Sequence, residues 1–155
     1  MIEFAQISAG FYLKSKNYSG YADVSFVLAQ AYFSLNLYKE SEDTCRQIIK
    51  VYDQHSMCFH IASVYSLLGL IYIRTKDFSR ASALYKKSLH MEQYNERYLG
   101  AAIDYTNLAC IEKNLGNLND ALYYLQSALE NAKLHQNDEL CEVIEQQLKK
   151  IKSFR

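Results

Sequence analysis

The side chains best able to do chemistry in this chain are its four cysteines, four histidines and scattered carboxylates. Cys58 stands between His55 and His60, the one place where thiol and imidazole ligands gather. A zinc site asks for ligands in close pairs, so that one turn presents two of them to the metal, and no Cys-x-x-Cys or His-x3-His spacing accompanies these three. No metal ligand set is assigned. Cys45, Cys58, Cys110 and Cys141 are widely spaced in helical stretches and read as reduced thiols used as small core residues, while His90 and His135 read as helix-surface residues. Catalysis would need a nucleophile beside a base, paired carboxylates or a glycine loop that cradles phosphate. The glycines, Gly10, Gly20, Gly69, Gly100 and Gly116, stand singly, so no catalytic residue, cofactor or enzyme activity is assigned. The 14 tyrosines lack the interleaved basic residues of a base-stacking surface, and most of them read as core.

Charge excludes further classes. The 17 Lys and Arg balance the 17 Asp and Glu, so no net field draws the chain to nucleic acid or to a membrane surface. No run of about 18 apolar residues offers a transmembrane helix, and Met1 to Gly10 lacks the basic start and cleavage pattern of a signal peptide. A cytoplasmic location is the expectation. Half of the 155 residues are hydrophobic, enough to bury one continuous core.

What must position any site is a repeat. Ala29, Gly69 and Ala109 stand 40 apart, and each follows a leucine (Leu28, Leu68, Leu108). On the same step Ala22, Ala62 and Ala102 align, as do the bulky Tyr38, Phe78 and Leu118 and the small Ser41, Ala81 and Ala121. Such columns make sense if each unit is two antiparallel helices, because backbones cross closely only where side chains are Ala, Gly or Ser and large residues fill the space beside each crossing. In the middle unit, helix A is expected over about Ile61 to Thr75 and helix B over about Phe78 to Gln93, with Asp77 as N-cap. In the third, Leu115-Gly116-Asn117 supplies a C-terminal glycine and then a cap.

Tyr65, Leu68, Gly69, Tyr72, Phe78, Ala81 and Tyr85 resemble the small and aromatic signature of the tetratricopeptide (TPR) family. Tyr105, Leu108, Ala109, Gly116, Leu118, Ala121, Leu125 and Ala128 repeat it, and Leu28, Ala29, Tyr32, Tyr38 and Ser41 form a weaker copy with Cys45 where an aromatic is usual. The resemblance implies an all-α TPR-like solenoid of antiparallel helix pairs in a right-handed superhelix. Its 40-residue step exceeds the usual TPR period of about 34, so the extra residues lengthen either the helices or the loops near Asp53 to Phe59 and Met91 to Tyr98. The long period is similar to the TPR arrays of bacterial peptide-sensing regulators of the Rap and PlcR type. The chain has no proline, although TPR repeats often close with one, so helices are expected to run further. One domain, 1–155, is expected, with a half-repeat helix at 1–16, repeats at 21–55, 61–94 and 101–134, and a capping helix at 138–153.

The resemblance places a binding groove on the A helices, which line the concave side. The groove candidates are Phe26, Gln30 and Phe33, then Ser66, Leu70, Ile73 and Arg74, then Asn107, Lys113 and Asn114. Amides can donate to and accept from a peptide backbone, apolar side chains can bury those of a ligand, and Arg74 or Lys113 can hold a carboxylate. TPR domains that clamp acidic chaperone C-termini carry Lys and Asn on the first helix A, Asn on the second, and Lys and Arg on the third. Phe26, Gln30, Leu67, Ile103 and Asn107 stand at those positions, and four of the five cannot play the part. At the N-terminal end, Phe4, Ile7 and Phe11 form the apolar stripe of a helix B lacking its helix A, a face expected to be covered by a second copy or by further chain. Leu140, Ile144, Leu148 and Ile151 form a stripe opposite Glu142, Glu145, Lys149, Lys150 and Lys152, as in a solvating end helix. The reading is a non-enzymatic protein- or peptide-binding module. The alternatives are the sensory part of a Rap- or PlcR-like bacterial regulator recognising a signalling peptide, or a self-associating assembly scaffold that dimerises through the N-terminal helix.

Overall fold

A computed structural model describes residues 2–55 and 61–153. Among the described residues there is no strand and there are eight helices: α1 (Ile2–Lys14), α2 (Tyr18–Ser34), α3 (Tyr38–His55), α4 (Ile61–Arg74), α5 (Phe78–Tyr94), α6 (Tyr98–Asn114), α7 (Leu118–Leu134) and α8 (Asp138–Lys152). Each helix packs against the next in the chain, and α4 also touches α2 and α6 directly. Among the described residues α3, α5 and α7 meet one another little or not at all, so α2, α4 and α6 occupy the closer-packed, inner side of the stack.

The turns explain why the step is 40. Lys16, Asn36, Lys76, Glu96, Gly116 and Gln136 all adopt positive φ, and these positions fall on a spacing of 20 residues or a multiple of it. Each closes the preceding helix with a Schellman motif, in which the next residue's N–H donates to a carbonyl five positions back: Asn17 to Tyr12, Leu37 to Tyr32, Asp77 to Tyr72, Arg97 to Glu92, Asn117 to Glu112 and Asn137 to Ala132. That same residue begins the following helix. Asn17, Asp77 and Asn137 accept from the backbone N–H of Gly20, Arg80 and Leu140 through their side chains, at 2.9, 3.1 and 2.9 Å. Asn117 stands at the expected cap position but makes no such bond; its amide donates to Glu112 at 2.8 Å instead. Between α5 and α6 the extra length of the repeat therefore lies in the helices, since only three residues separate them. Ser56 to Phe59, in the other candidate loop, lie outside the described residues.

The small-residue columns lie at the helix crossings. Ala22, Ala29, Ser41, Ala81, Ala102 and Ala121 are wholly buried, and a Cβ on Gly69 would lie 2.9 Å from the Tyr85 ring of α5. Ser41 Oγ donates to the carbonyl of Ala29 at 2.8 Å, bonding α3 to α2 at their crossing. Tyr38, Phe78 and Leu118 pack beside the crossings, half-buried against the core. Two hydrophobic clusters, one spanning α2 to α6 and one spanning α6 to α8, are joined by Tyr105 and Tyr124, which pack on both.

Two expectations about side chains are corrected. Among the described residues only Cys45 is a core thiol; Cys110 is exposed on α6 and Cys141 is half-buried, while Cys58 lies outside the described residues. Of the tyrosines, only Tyr21, Tyr72 and Tyr85 are fully buried, whereas Tyr94, Tyr98 and Tyr123 are exposed and the others half-buried. Long amphipathic rings in a two-layer stack reach from the interface to its rim, which leaves their hydroxyls wet.

Candidate functional site

The groove candidates lie on helices α2, α4 and α6. On α2, Phe26 and Phe33 are half-buried against the first cluster and Gln30 is exposed between them. The Phe33 ring packs against Tyr38 of α3, with centroids 5.6 Å apart, and the Arg74 guanidinium lies 6.0 Å from its centre. A cation over an aromatic face is attracted by the ring quadrupole, so Arg74 is held at the boundary between the first two A helices with its charge exposed. On α4, Leu70 and Ile73 are half-buried. Ser66 is already engaged, with its hydroxyl 2.5 Å from Asp104 Oδ1 and 2.9 Å from Ser88 Oγ. On α6, Asn107 is half-buried and Lys113 exposed; Asn114, also exposed, donates to the Cys110 carbonyl at 2.7 Å. The surface thus combines half-buried apolar side chains with the amides of Gln30 and Asn107 and the charges of Arg74 and Lys113.

Two polar networks join neighbouring helices and were not singled out from the sequence. Tyr72 of α4 donates to Glu42 of α3 at 2.6 Å and accepts from Arg46 at 2.7 Å, while Arg46 and Glu42 form an ion pair at 2.8 Å. Burial pushes the Glu42 carboxyl up, but the Tyr72 hydroxyl and Arg46 outweigh it and hold its pKa below the ordinary value. Asp104 of α6 is fully buried and bonded to the half-buried Ser66, which in turn meets the buried Ser88. A signal for it existed, because Asp104 stands on the 40-residue step where Val24, Val64 and Ile144 place aliphatic side chains. Among the described residues no group of three or more His, Cys, Asp or Glu is gathered to hold a metal, and no helix is long and apolar enough to cross a membrane.

The end helices differ in kind. The inner face of α1 buries Ala9 and half-buries Ala5 and Tyr12, leaving Phe4, Ile7 and Phe11 exposed at 76, 64 and 68%. On the same step, Phe4 corresponds to Thr44, Leu84 and Tyr124, which are buried or half-buried in their own repeats. Helix α8 buries Ile144, Leu148 and Ile151 and exposes Glu142, Glu145, Lys149 and Lys152. Glu142 and Lys149, both exposed, occupy the positions where the A helices place Ala102 and Ala109 for a crossing, so close packing there would bury two charged side chains.

Two family models, both describing the tetratricopeptide repeat, match residues 22–55 and 60–133. No curated protein sequence matches the chain. Among solved structures, aspartyl phosphate phosphatase F from Bacillus subtilis superposes with a TM-score of 0.78 at 18% identity, over 98% of this chain and 42% of that one. BtubC (BKLC) from P. vanneervenii superposes with a TM-score of 0.68 at 18% identity, over 99% of this chain and 73% of that one. The N-terminal domain of stress-induced protein-1 from C. elegans gives 0.66 at 12% identity, over 83% and 95%. These likenesses are of fold, and the present chain spans less than half of the phosphatase. With small residues at the helix crossings and models of that repeat matching residues 22–55 and 60–133, the chain belongs to the tetratricopeptide repeat family.

Proposed function

We propose that the protein is a non-enzymatic, cytoplasmic binding module that takes an extended or helical peptide segment of a partner protein along the inner faces of α2, α4 and α6. The observation that carries this reading is the surface shared by those helices, where Phe26, Phe33, Leu70 and Ile73 are half-buried rather than sealed and Arg74 sits beside Phe33. A ligand side chain laid against them removes apolar area from water, while Gln30, Asn107 and Asn114 meet its backbone and Arg74 or Lys113 a carboxylate. Ser66 contributes as a support, since its hydroxyl is committed to Asp104 and Ser88. Chaperone tails are disfavoured, because Phe26, Leu67 and Ile103 stand where that clamp needs polar or basic groups. The test is selection of binders from a random peptide library on the whole chain, followed by titration of the selected peptides. Phe33→Ala, Asn107→Ala or Lys113→Ala should each cost about 1 to 3 kcal/mol, and the outer-face change Lys86→Ala nothing measurable. Equal losses from both faces would exclude the groove.

Likeness of fold to the phosphatase from Bacillus subtilis favours a second reading, the sensory part of a bacterial regulator of the Rap or PlcR type. Such a part binds a short free signalling peptide without a surrounding protein, so affinity for isolated short peptides as strong as for the same segment within a protein would distinguish it. Helix α1 favours self-association as an additional property, because Phe4 is exposed where the later repeats bury or half-bury Thr44, Leu84 and Tyr124. The charged face of α8 opposes head-to-tail stacking, which leaves a twofold contact between two α1 helices. Light scattering should report a dimer in the wild type and a monomer in the Phe4→Glu, Phe11→Glu double variant; a strict monomer at high concentration would exclude the contact.

A further inference from the structure

Helices α4, α5 and α6 meet at a chain of oxygen atoms. Asp104 Oδ1 is 2.5 Å from Ser66 Oγ, Ser66 Oγ is 2.9 Å from Ser88 Oγ, and Ser88 Oγ is 2.9 Å from the carbonyl oxygen of Ala62. Three oxygen pairs at hydrogen-bonding distance need three hydrogens, and the two serine hydroxyls supply two. If Asp104 is ionised, one pair must face lone pair to lone pair. If its carboxyl is protonated, every link is filled: Asp104 donates to Ser66, Ser66 to Ser88, and Ser88 to the Ala62 carbonyl.

The surroundings agree with this count. Asp104 is 1% exposed, and its Oδ2 has no hydrogen-bond partner among the described residues. The corresponding Val64 and Ile144 are wholly buried aliphatic residues, so the fold places a carboxyl where its neighbours place methyl groups. We propose that Asp104 is a proton-binding site of the folded repeat, and that mild acidification tightens the packing of α6 on α4 and α5 by completing this hydrogen-bonded chain.

The groups acting on the site come mainly from α5. Burial is the largest influence and pushes the Asp104 carboxyl up to about 6; the Ser66 and Ser88 hydroxyls oppose it, and the Glu92 carboxyl pushes it further up. Glu92 is itself buried, with the Arg97 guanidinium 3.3 Å away. Burial and Asp104 in turn push the Tyr85 phenol well up, so it stays neutral. Among the described residues, α4 contributes the Ser66 hydroxyl, and neither α4 nor α7 adds a titratable group to those acting on Asp104. An acid with a raised folded pKa holds more protons folded than unfolded between its ordinary value of 3.8 and about 6. This contribution to stability is therefore gained as pH falls through 6 and lost as pH rises through it.

The experiment follows the side-chain carboxyl carbon of Asp104 by NMR in the full chain, with thermal unfolding of the wild type and Asp104→Asn in parallel. The midpoint of the carbon shift should lie near 6, and one near 4 would overturn the proposal. The asparagine amide can donate to Ser66 at any pH. Its advantage over the wild type should therefore be about a hundredfold in the folding equilibrium constant at pH 8, shrinking to about tenfold at pH 5. An advantage independent of pH, or a wild type more stable at pH 8, would also overturn it.

Discussion

Gly69 lies where α4 meets α5: a Cβ there would lie 2.9 Å from the wholly buried Tyr85 ring. Gly69→Val should cost about 1 to 3 kcal/mol by overpacking, read from the thermal midpoint. Gly10 is the contrasting case: it lies inside α1 with nothing within 4 Å of the position of a Cβ. Gly10→Ala should stabilise by about 0.5 to 1 kcal/mol, since only backbone freedom changes. The cysteines divide by environment in the same way. Burial pushes the Cys45 thiol up to about 12, while Cys110 is exposed. Alkylation of the native protein, mapped by peptide mass spectrometry, should modify Cys110 within the time that leaves Cys45 untouched, and unfolding should remove the difference.

At the scale of elements, the turns are where stability is most easily added. Five of the six described turns put a non-glycine residue in the left-handed region, at Lys16, Asn36, Lys76, Glu96 and Gln136. Left-handed backbone costs an L-residue about 1 to 2 kcal/mol, while glycine adds about 0.4 to 1 kcal/mol of freedom to the unfolded chain. Lys76→Gly should thus raise stability by up to about 1 kcal/mol, and Gly116→Ala should lower it by a similar amount, both measured by urea denaturation. These turns also mark what was hard to read in the sequence. Gly116 was visible as a helix stop, but the equivalent lysines, glutamate and glutamine carry no such signal, because their conformation is imposed by the Schellman bonds and by the helices on either side.

Across the whole molecule, stability passes from each repeat to its neighbours, with Tyr105 and Tyr124 joining the two clusters. Helix α8 buries Ile144, Leu148 and Ile151, each worth roughly 1.5 to 3 kcal/mol in area removed from water. Deleting residues 135–155 should expose Leu122, Leu125 and Ala132 of α7. The expected outcome is a thermal midpoint lower by several degrees and binding of an apolar dye, with most of the helicity of α2 to α5 retained because α8 packs chiefly on α7. Loss of all helicity together would show the array to be one cooperative unit instead.

The sequence by itself determined the repeat. Ala22, Ala29, Gly69, Ala81 and Ala109 had to be small wherever two helices cross, and that requirement is local enough to survive as a column of residue types on a 40-residue step. Helical spacing also groups Glu142, Glu145 and Lys149 on one face of α8 and Phe4, Ile7 and Phe11 on one face of α1, and these side chains are exposed. Only the tertiary structure decided which polar side chains of the A helices remain available. Ser66, chosen as a groove residue by its place on α4, is bonded to Asp104 from α6 and to Ser88 from α5, partners 38 and 22 residues away. Helical periodicity can say which face a residue occupies, but not which neighbour claims its hydrogen, because that depends on how three helices come together.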